Sequence, residues 1–264
     1  MPTNHKPLIL VTNDDGVTAP GIRALVEVMK ELGRVVVVAP DSPQSGMGHA
    51  ITIGDPLRLE PVRVFGKVEA YQCSGTPVDC VKLARDKILH RKPDLCVSGI
   101  NHGSNSSINI IYSGTMSAAM EAAIEDIPAI GFSLLDWTFE ADFQPAGKYV
   151  RQIAGQVLKH GLPGRTLLNV NIPKLSASRI KGIRIARQAM DKWEEDFQER
   201  KDPRGKKYYW LTGKFVNMDP GDDTDEWALA NGYVSVVPVQ FDLTAHHAIS
   251  FLNDKWNLPH AKKR

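Results

Sequence analysis

The sequence predicts an α/β fold: a doubly wound, mostly parallel Rossmann-like sheet, followed by an extended C-terminal β-hairpin and a short terminal helix. Three observations carry this. Short β-branched runs recur at residues 8–11, 35–39, 95–97, 129–132 and 167–170 with helical stretches between them, which is the pattern of βαβ units. Polar, glycine-bearing segments follow several of these runs directly, where open α/β sheets place their ligands. Beyond about residue 190 the pattern changes to dense charge and then to aromatic residues around polar turns, which suits a hairpin.

Taken in order, residues 8–11 read as a buried strand that ends at Asn13-Asp14-Asp15-Gly16. Neighbouring strand side chains point to opposite faces, so both carboxylates reach one ion only if the chain bends, and Gly16 permits the bend. The other reading of these four residues is a solvated turn whose aspartates cap the next helix. Pro20-Gly21 opens that helix, Ile22, Leu25, Val26 and Met29 form its apolar face, and Gly33 lies just past its end. The strand over 35–39 runs into a polar loop that contains Ser45, Gly46 and His49. Thr76 is a good N-cap for a helix over 78–89, Pro77 fits its first turn, and Asp79 suits the positive end of its dipole.

The run over 95–97 leads into Ser98-Gly99-Ile100-Asn101-His102-Gly103-Ser104-Asn105. Ser113-Gly114-Thr115 opens a helix over 117–124 whose alanines make it slim enough to pack closely on a sheet. Residues 192–207 are densely charged and precede Tyr208-Tyr209-Trp210-Leu211, the expected hairpin. The strand over 234–239, with Pro238 in it, reads as an edge strand. Residues 247–256 form the last helical piece. The expected division is a catalytic core over 1–190 and a hairpin or oligomerisation region over 191–264 that completes the same domain. Such a hairpin cannot bury both faces alone, so it is expected to pack on a second subunit, with an intramolecular flap over the site as the alternative.

A chain of 264 residues with 42% hydrophobic and 23% charged content is ordinary for a globular protein of one large domain. A formal net charge of +2 argues against nucleic-acid or membrane-surface binding, and Lys262-Lys263-Arg264 reads as a solvated terminus. Residues 8–11 are too short for a signal peptide core, and no segment approaches a membrane span. Cys73, Cys80 and Cys96 form no CxxC and cannot all pair within the chain, which points to a reduced, cytoplasmic protein.

The chemistry at the strand ends is oxygen-rich and lacks thiolate, so it suits Mg²⁺, Mn²⁺ or Ca²⁺ better than a soft metal. A Ser-Gly-Thr at a helix start presents unpaired backbone N–H groups to an anion, although most such sequences are simple caps. A hard cation beside an anion-binding helix start is equipment for hydrolysing a phosphate monoester. No GxxxxGK[ST] loop is present, and no G-x-G-x-x-G follows the first strand, so P-loop and dinucleotide chemistry are disfavoured.

The clusters also occur together and in order, and in this the sequence resembles the SurE family of survival-protein nucleotidases. The resemblance rests on Ile9-Leu10-Val11-Thr12-Asn13-Asp14-Asp15-Gly16, Val38-Ala39-Pro40, Ser45-Gly46, Gly75-Thr76-Pro77, Ser98-Gly99-Ile100-Asn101-His102-Gly103, Tyr112-Ser113-Gly114-Thr115 and Gly232-Tyr233-Val234-Ser235. It implies a three-layer fold and a metal-dependent phosphatase acting on nucleoside 5′-monophosphates, and on 3′-monophosphates in some members. The metal ligands it implies are Asp14, Asp15, Ser45 and Asn101, around one Mg²⁺ or Mn²⁺ per subunit. It implies catalytic roles for Asp14, Asp15 and Asn101, a phosphate-binding turn at Ser113, Gly114 and Thr115 with Asn105 beside it, and a homodimer or homotetramer built through the hairpin. Which aspartate acts as base, and whether an aspartyl-phosphate forms, stay open at this level. A nucleotide-binding regulator without turnover, or an enzyme acting mainly on polyphosphate, are the alternative functions. Two departures stand out: Val236-Val237-Pro238-Val239 replaces a Thr-Pro-Leu ending, and Ser106-Ser107-Ile108-Asn109, which borders the crevice, replaces a glycine-containing loop.

Overall fold

Every side chain of strand β1 (Leu8–Thr12) is buried, as expected of a central parallel strand covered on both faces. β2 (Arg34–Pro40) and β5 (Leu95–His102) flank it in parallel. From β1 the chain moves outward through β2 to β4 (Glu69–Cys73), with β3 (Leu59–Pro61) antiparallel at the rim. It then crosses back to β5 and moves the other way through β6 (Ala129–Leu134) and β7 (Thr166–Ile172). β11 (Tyr233–Gln240) pairs antiparallel with β7, and β8 (Gly182–Ile185) closes the sheet, giving the order β3-β4-β2-β1-β5-β6-β7-β11-β8. The winding direction reverses between β1 and β5, so the crevice at their carboxyl ends is the topological switch point. The computed structural model describes residues 6–138 and 140–256, and the basic tail at 262–264 lies outside them.

Two hydrophobic clusters cover the two faces. One joins alternate residues of the strands, such as Ile9, Val11, Val35 and Val37, to α1 (Pro20–Leu32) and α4 (Gln144–His160). The other joins Leu10, Val38 and Cys96 to α2 (Pro77–Leu83) and α3 (Gly114–Ile124). This split is the period-2 alternation of strand side chains made visible. The alanines of α3 (Ala118, Ala119, Ala122 and Ala123) are all in the second cluster, so that helix lies close on the sheet. All three cysteines are free and buried, and burial pushes the Cys96 thiol up to about 12, so it is inert.

The hairpin forms from β9 (Lys192–Lys201) and β10 (Lys207–Val216) as a separate two-stranded sheet, the short α5 (Asp225–Ala230) precedes β11, and α6 (His246–Lys255) lies near the C-terminus. Two expectations need correction. The strand carrying Pro238 is internal, between β7 and β8; its pairing with β8 ends at Val236, so the missing proline N–H costs no ladder bond on that side. The helix expected over 78–89 stops at Leu83 and continues only as a π-turn over Ala84–Ile88. Gly33 does lie just past the end of α1; it is extended, with φ −162°, and a Cβ there would lie 2.5 Å from the Pro7 carbonyl oxygen.

Gly21, in the first turn of α1, fixes how closely that helix approaches β5. A Cβ there would lie 1.9 Å from the Ile100 carbonyl oxygen, a backbone atom that cannot swing aside. Gly21→Ala is expected to cost about 3 kcal/mol, through overpacking, and to lower the Tm by roughly 6–12 °C. Gly155→Ala, in α4 with nothing within 4 Å of the added Cβ, is expected to raise stability by about 0.5–1 kcal/mol. Differential scanning calorimetry of the two variants checks both signs.

Candidate metal and phosphate site

The four polar loops meet over the switch point. One cavity of about 190 Å³ is lined by Asp14 from the end of β1, Ser45 from the loop after β2, Asn101 and His102 from β5, Asn105 from the following loop, and Ser113 at the start of α3. A second cavity of about 530 Å³ lies beside it and carries Asp15; His102 and Trp137 belong to both walls. The two aspartates thus face adjoining cavities, as the alternation along a bending strand requires.

Asp14 is buried, and the Thr115 hydroxyl donates to its Oδ1. Burial, and then the neighbouring Asp15 charge, push its carboxyl up to about 6. Asp15 is also raised, by burial, against the pull of the His102 backbone N–H that donates to its Oδ2 at 3.3 Å. No cationic side chain figures among the groups acting on either one. α3 reaches this acidic end because Gly114 has no side chain: a Cβ there would lie 2.7 Å from the Asp14 Cβ. Ser113 caps α3, its Oγ accepting from the Met116 N–H at 3.0 Å.

The supporting contacts are specific. The Asn101 amide nitrogen donates to the Gly103 carbonyl at 3.0 Å, which leaves its Oδ1 as the acceptor for the cavity. The Asn105 backbone N–H donates to Asn171 Oδ1 at 2.8 Å, its side-chain nitrogen donates to Ser133 Oγ at 2.8 Å, and Asn169 donates to its carbonyl at 2.8 Å. The loop bearing Ser45 is tied at several points. Its Gln44 N–H donates to the Asp14 carbonyl at 2.7 Å, Thr76 Oγ1 donates to the Ala50 carbonyl at 2.7 Å, and His49 pairs with the buried Glu121 of α3 at 3.0 Å. Burial raises the Glu121 carboxyl, but hydrogen bonds from His49 and Lys82 outweigh it and hold the group below its ordinary range.

The donor set fits a hard divalent cation. It offers carboxylate, hydroxyl and amide oxygens and no thiolate. Two acids stand with no positive partner to balance them. Among the described residues, the buried oxygens Thr12 Oγ1 and Asn13 Oδ1 at the carboxyl end of β1, and Ser98 Oγ in the middle of β5, also have no hydrogen-bond partner. Among the described residues no group of three or more His, Cys, Asp or Glu is placed to hold a metal, so any cation here depends on the neutral oxygens of Ser45 and Asn101.

Of the residues named from sequence, Asp14, Ser45, Asn101, Asn105 and Ser113 share the smaller cavity, Asp15 stands in the adjoining one, and Gly114 abuts Asp14. Thr115 is fully buried and its hydroxyl is spent on Asp14, so its side chain orients a carboxylate while its backbone N–H belongs to the helix start. Ser104 and Asn109, from loops the sequence reading placed at the crevice, also line the walls; that reading missed Trp137 there, and the last two missed residues, the buried Asn169 and Asn171, lie behind them. A signal for the last two existed, because two asparagines interrupt an otherwise apolar strand and a buried amide requires partners.

The chain matches the family model described as "Survival protein SurE" over residues 9–195. It is 69% identical over 255 residues to a protein of Christiangramia forsetii named 5′-nucleotidase SurE, covering 96% of this chain and 98% of that one. It is 66% identical over 254 residues to the protein of the same name from Flavobacterium psychrophilum, again covering 96% and 98%. Among solved structures, the crystal structure of the SurE protein from Aquifex aeolicus superposes with a TM-score of 0.82 at 42% identity, covering 94% of this chain and 99% of that one. With the acidic pair, the loop of Ser45, Asn101 and the capped helix start all on one switch point, the chain belongs to the SurE family.

Proposed function

We propose that this chain is a divalent-metal-dependent phosphomonoesterase that hydrolyses nucleoside 5′-monophosphates, and 3′-monophosphates as a second class, to nucleoside and phosphate. The observation that carries the reading is the buried Asp14 and the half-buried Asp15 beside it, with no cationic partner among the described residues, Asp14 facing the N-terminus of α3 across a small cavity that adjoins the one carrying Asp15. The names of the relatives, 5′-nucleotidase SurE, point the same way.

In this reading Asp14, Asp15, Ser45 and Asn101 hold one Mg²⁺ or Mn²⁺ per subunit. The bound cation supplies Lewis-acid polarisation of the phosphoryl group and offsets the charge that develops on it. The chain's own groups do the rest. Thr115 fixes Asp14 in one orientation. The backbone N–H groups of Gly114 and Thr115, with the Ser113 hydroxyl, receive phosphoryl oxygens at the helix start. Asn105 and Asn101 present amides from the opposite wall. Asp15, whose Oδ2 is held by the His102 N–H, uses Oδ1 to take the proton of the attacking water.

The hairpin is proposed as the self-association element of a homodimer or homotetramer, with residues 191–264 as the region that completes the core over 1–190. Trp193, Phe197, Tyr209, Leu211 and Phe215 fall on one face of it by the strand register, and Phe197 and Leu211 stay well exposed. Three free buried thiols suit a reducing cytoplasm as its location. Among the described residues no helix is long and apolar enough to cross a membrane.

Asp15→Asn is expected to lower kcat for AMP at least 100-fold in saturating Mn²⁺, with an unchanged far-UV circular dichroism spectrum. A phosphate-release assay that found tight AMP binding and no release in the wild type would favour a regulator instead. Because Asp14 titrates near 6 in the metal-free protein, protons compete with the cation below that pH. Mn²⁺ affinity measured by calorimetry is therefore expected to fall about tenfold or more between pH 7 and pH 5.

The same residue sets a stability slope. Its folded value is raised above the ordinary 3.8, so the folded state holds more protons between about pH 4 and pH 6, and stability is lost as pH rises through that window. EDTA-treated Asp14→Asn is expected to exceed the wild type in stability by roughly 1–3 kcal/mol at pH 7, with the difference closing by pH 4 in urea titrations. For the hairpin, replacing Phe197 and Leu211 together by Asp is expected to shift the light-scattering mass to that of a monomer.

A further inference from the structure

The 190 Å³ cavity, with Asp14, Ser45, Asn101 and Ser113 in its wall, has room for a phosphoryl group and leaves the rest of a nucleotide unaccounted for. The adjoining cavity of about 530 Å³ is much the larger of the two. Pro20, Pro43 and the Trp137 indole supply flat apolar surface, while Asp15 and His102 stand at the border with the phosphate side. A single side chain pair, His102 and Trp137, walls both spaces, so a ligand whose phosphate sits in the first extends past them into the second.

Trp137 is 72% exposed, which is costly for so large an apolar ring and gives the fold little in return. The turn that presents it is nevertheless firmly held. Asp136 is buried and accepts from the Thr138 N–H at 3.0 Å, the Thr138 hydroxyl at 2.7 Å and Lys174 Nζ at 2.9 Å. The Asp136 N–H donates to the Leu134 carbonyl at 2.7 Å. The indole lies directly on Gly103, where a Cβ would come within 2.2 Å of the ring. An aromatic plane is thus held in place at the rim of a polar site with one face uncovered. A pre-positioned plane of this kind loses little freedom when a second flat group stacks on it.

We propose that the larger cavity is the nucleobase subsite and that Trp137 is its stacking platform, so that this residue selects nucleotides over phosphate esters that lack a base. This rests on the phosphomonoesterase reading above. Stacking uses the π-face that every base possesses, so the platform favours purines and pyrimidines alike over a bare sugar phosphate, and discriminates weakly among bases.

The test compares 5′-AMP and 5′-CMP with ribose 5-phosphate in the wild type, Trp137→Ala and Trp137→Phe, in saturating Mn²⁺. For Trp137→Ala the ratio of kcat/KM for AMP to that for ribose 5-phosphate is expected to fall about 10- to 100-fold, mainly through KM, with CMP following AMP and with Trp137→Phe restoring most of the loss. Equal losses for the nucleotides and the sugar phosphate, or no change in either, overturn the proposal. A second arm measures AMP binding by calorimetry in Ca²⁺, independent of turnover. Wild-type binding that weakens 10-fold or more in Trp137→Ala supports the subsite even if no phosphate is released, in which case the hydrolytic reading alone fails. Binding equal in the two proteins overturns the subsite whatever the kinetics.

Discussion

Two adjacent carboxylates, Asp14 buried and Asp15 half-buried, with no cationic partner among the described residues, are the constraint around which the rest of this structure is arranged. Charges of one sign in a poorly solvated place are unfavourable, and the protein concedes this in the raised proton affinity of Asp14 and Asp15. A fold optimised for stability alone would have placed a lysine beside them or replaced them. What the structure supplies instead is orientation: a hydroxyl from Thr115 on Asp14 and a backbone N–H from His102 on Asp15. These hold the oxygens in place and leave the charge for a ligand to neutralise. Local cost of this sort, kept within an otherwise consistent fold, is the physical mark of a functional site.

Three parts of the chain must approach closely for that site to exist, and each approach has an identifiable cause. α3 abuts the acidic end of β1 because residue 114 is a glycine. α1 seats against the irregular part of β5 because residue 21 is a glycine, and the register of β5 against β6 shifts between Ser98 and Asn101 at the same place. The loop with Ser45 has little apolar contact of its own and is secured by polar ties to α2 and α3. The ion pair from His49 to Glu121 reaches deepest, since Glu121 is itself buried and also held by Lys82. Residues outside the cavity therefore determine where Ser45 stands, through hydrogen bonds to a helix whose start also lines that cavity.

The exposed aromatic residues divide into two groups with different supports. Those of the hairpin sit on strands that pair only with each other, so their apolar face needs a separate surface to cover it. Trp137 instead stands on a turn bound to the main sheet through Asp136, beside a polar cavity. The same amount of exposed ring therefore suits a protein surface in one place and a small flat ligand in the other, and the rigidity and surroundings of the support make the difference.

The sequence by itself determined the layered fold and the loops that gather at its edge. Continuous apolar runs separated by helical faces leave few alternatives to a parallel sheet, and oxygen-bearing loops after those runs must gather on one edge of it. The loops around Asp14, Ser45, Asn101 and Ser113 were legible for that reason, and the resemblance to a known family singled out the residues within them. Tertiary structure decided what depends on contacts between distant segments. It set the Thr115 hydroxyl on Asp14, placed the Pro238 strand inside the sheet, set the two aspartates on adjoining cavities and brought Trp137 over Gly103. Local pattern records which faces a chain must bury, but a hydroxyl's partner or an indole's resting place is fixed only when elements far apart in sequence are packed to atomic contact.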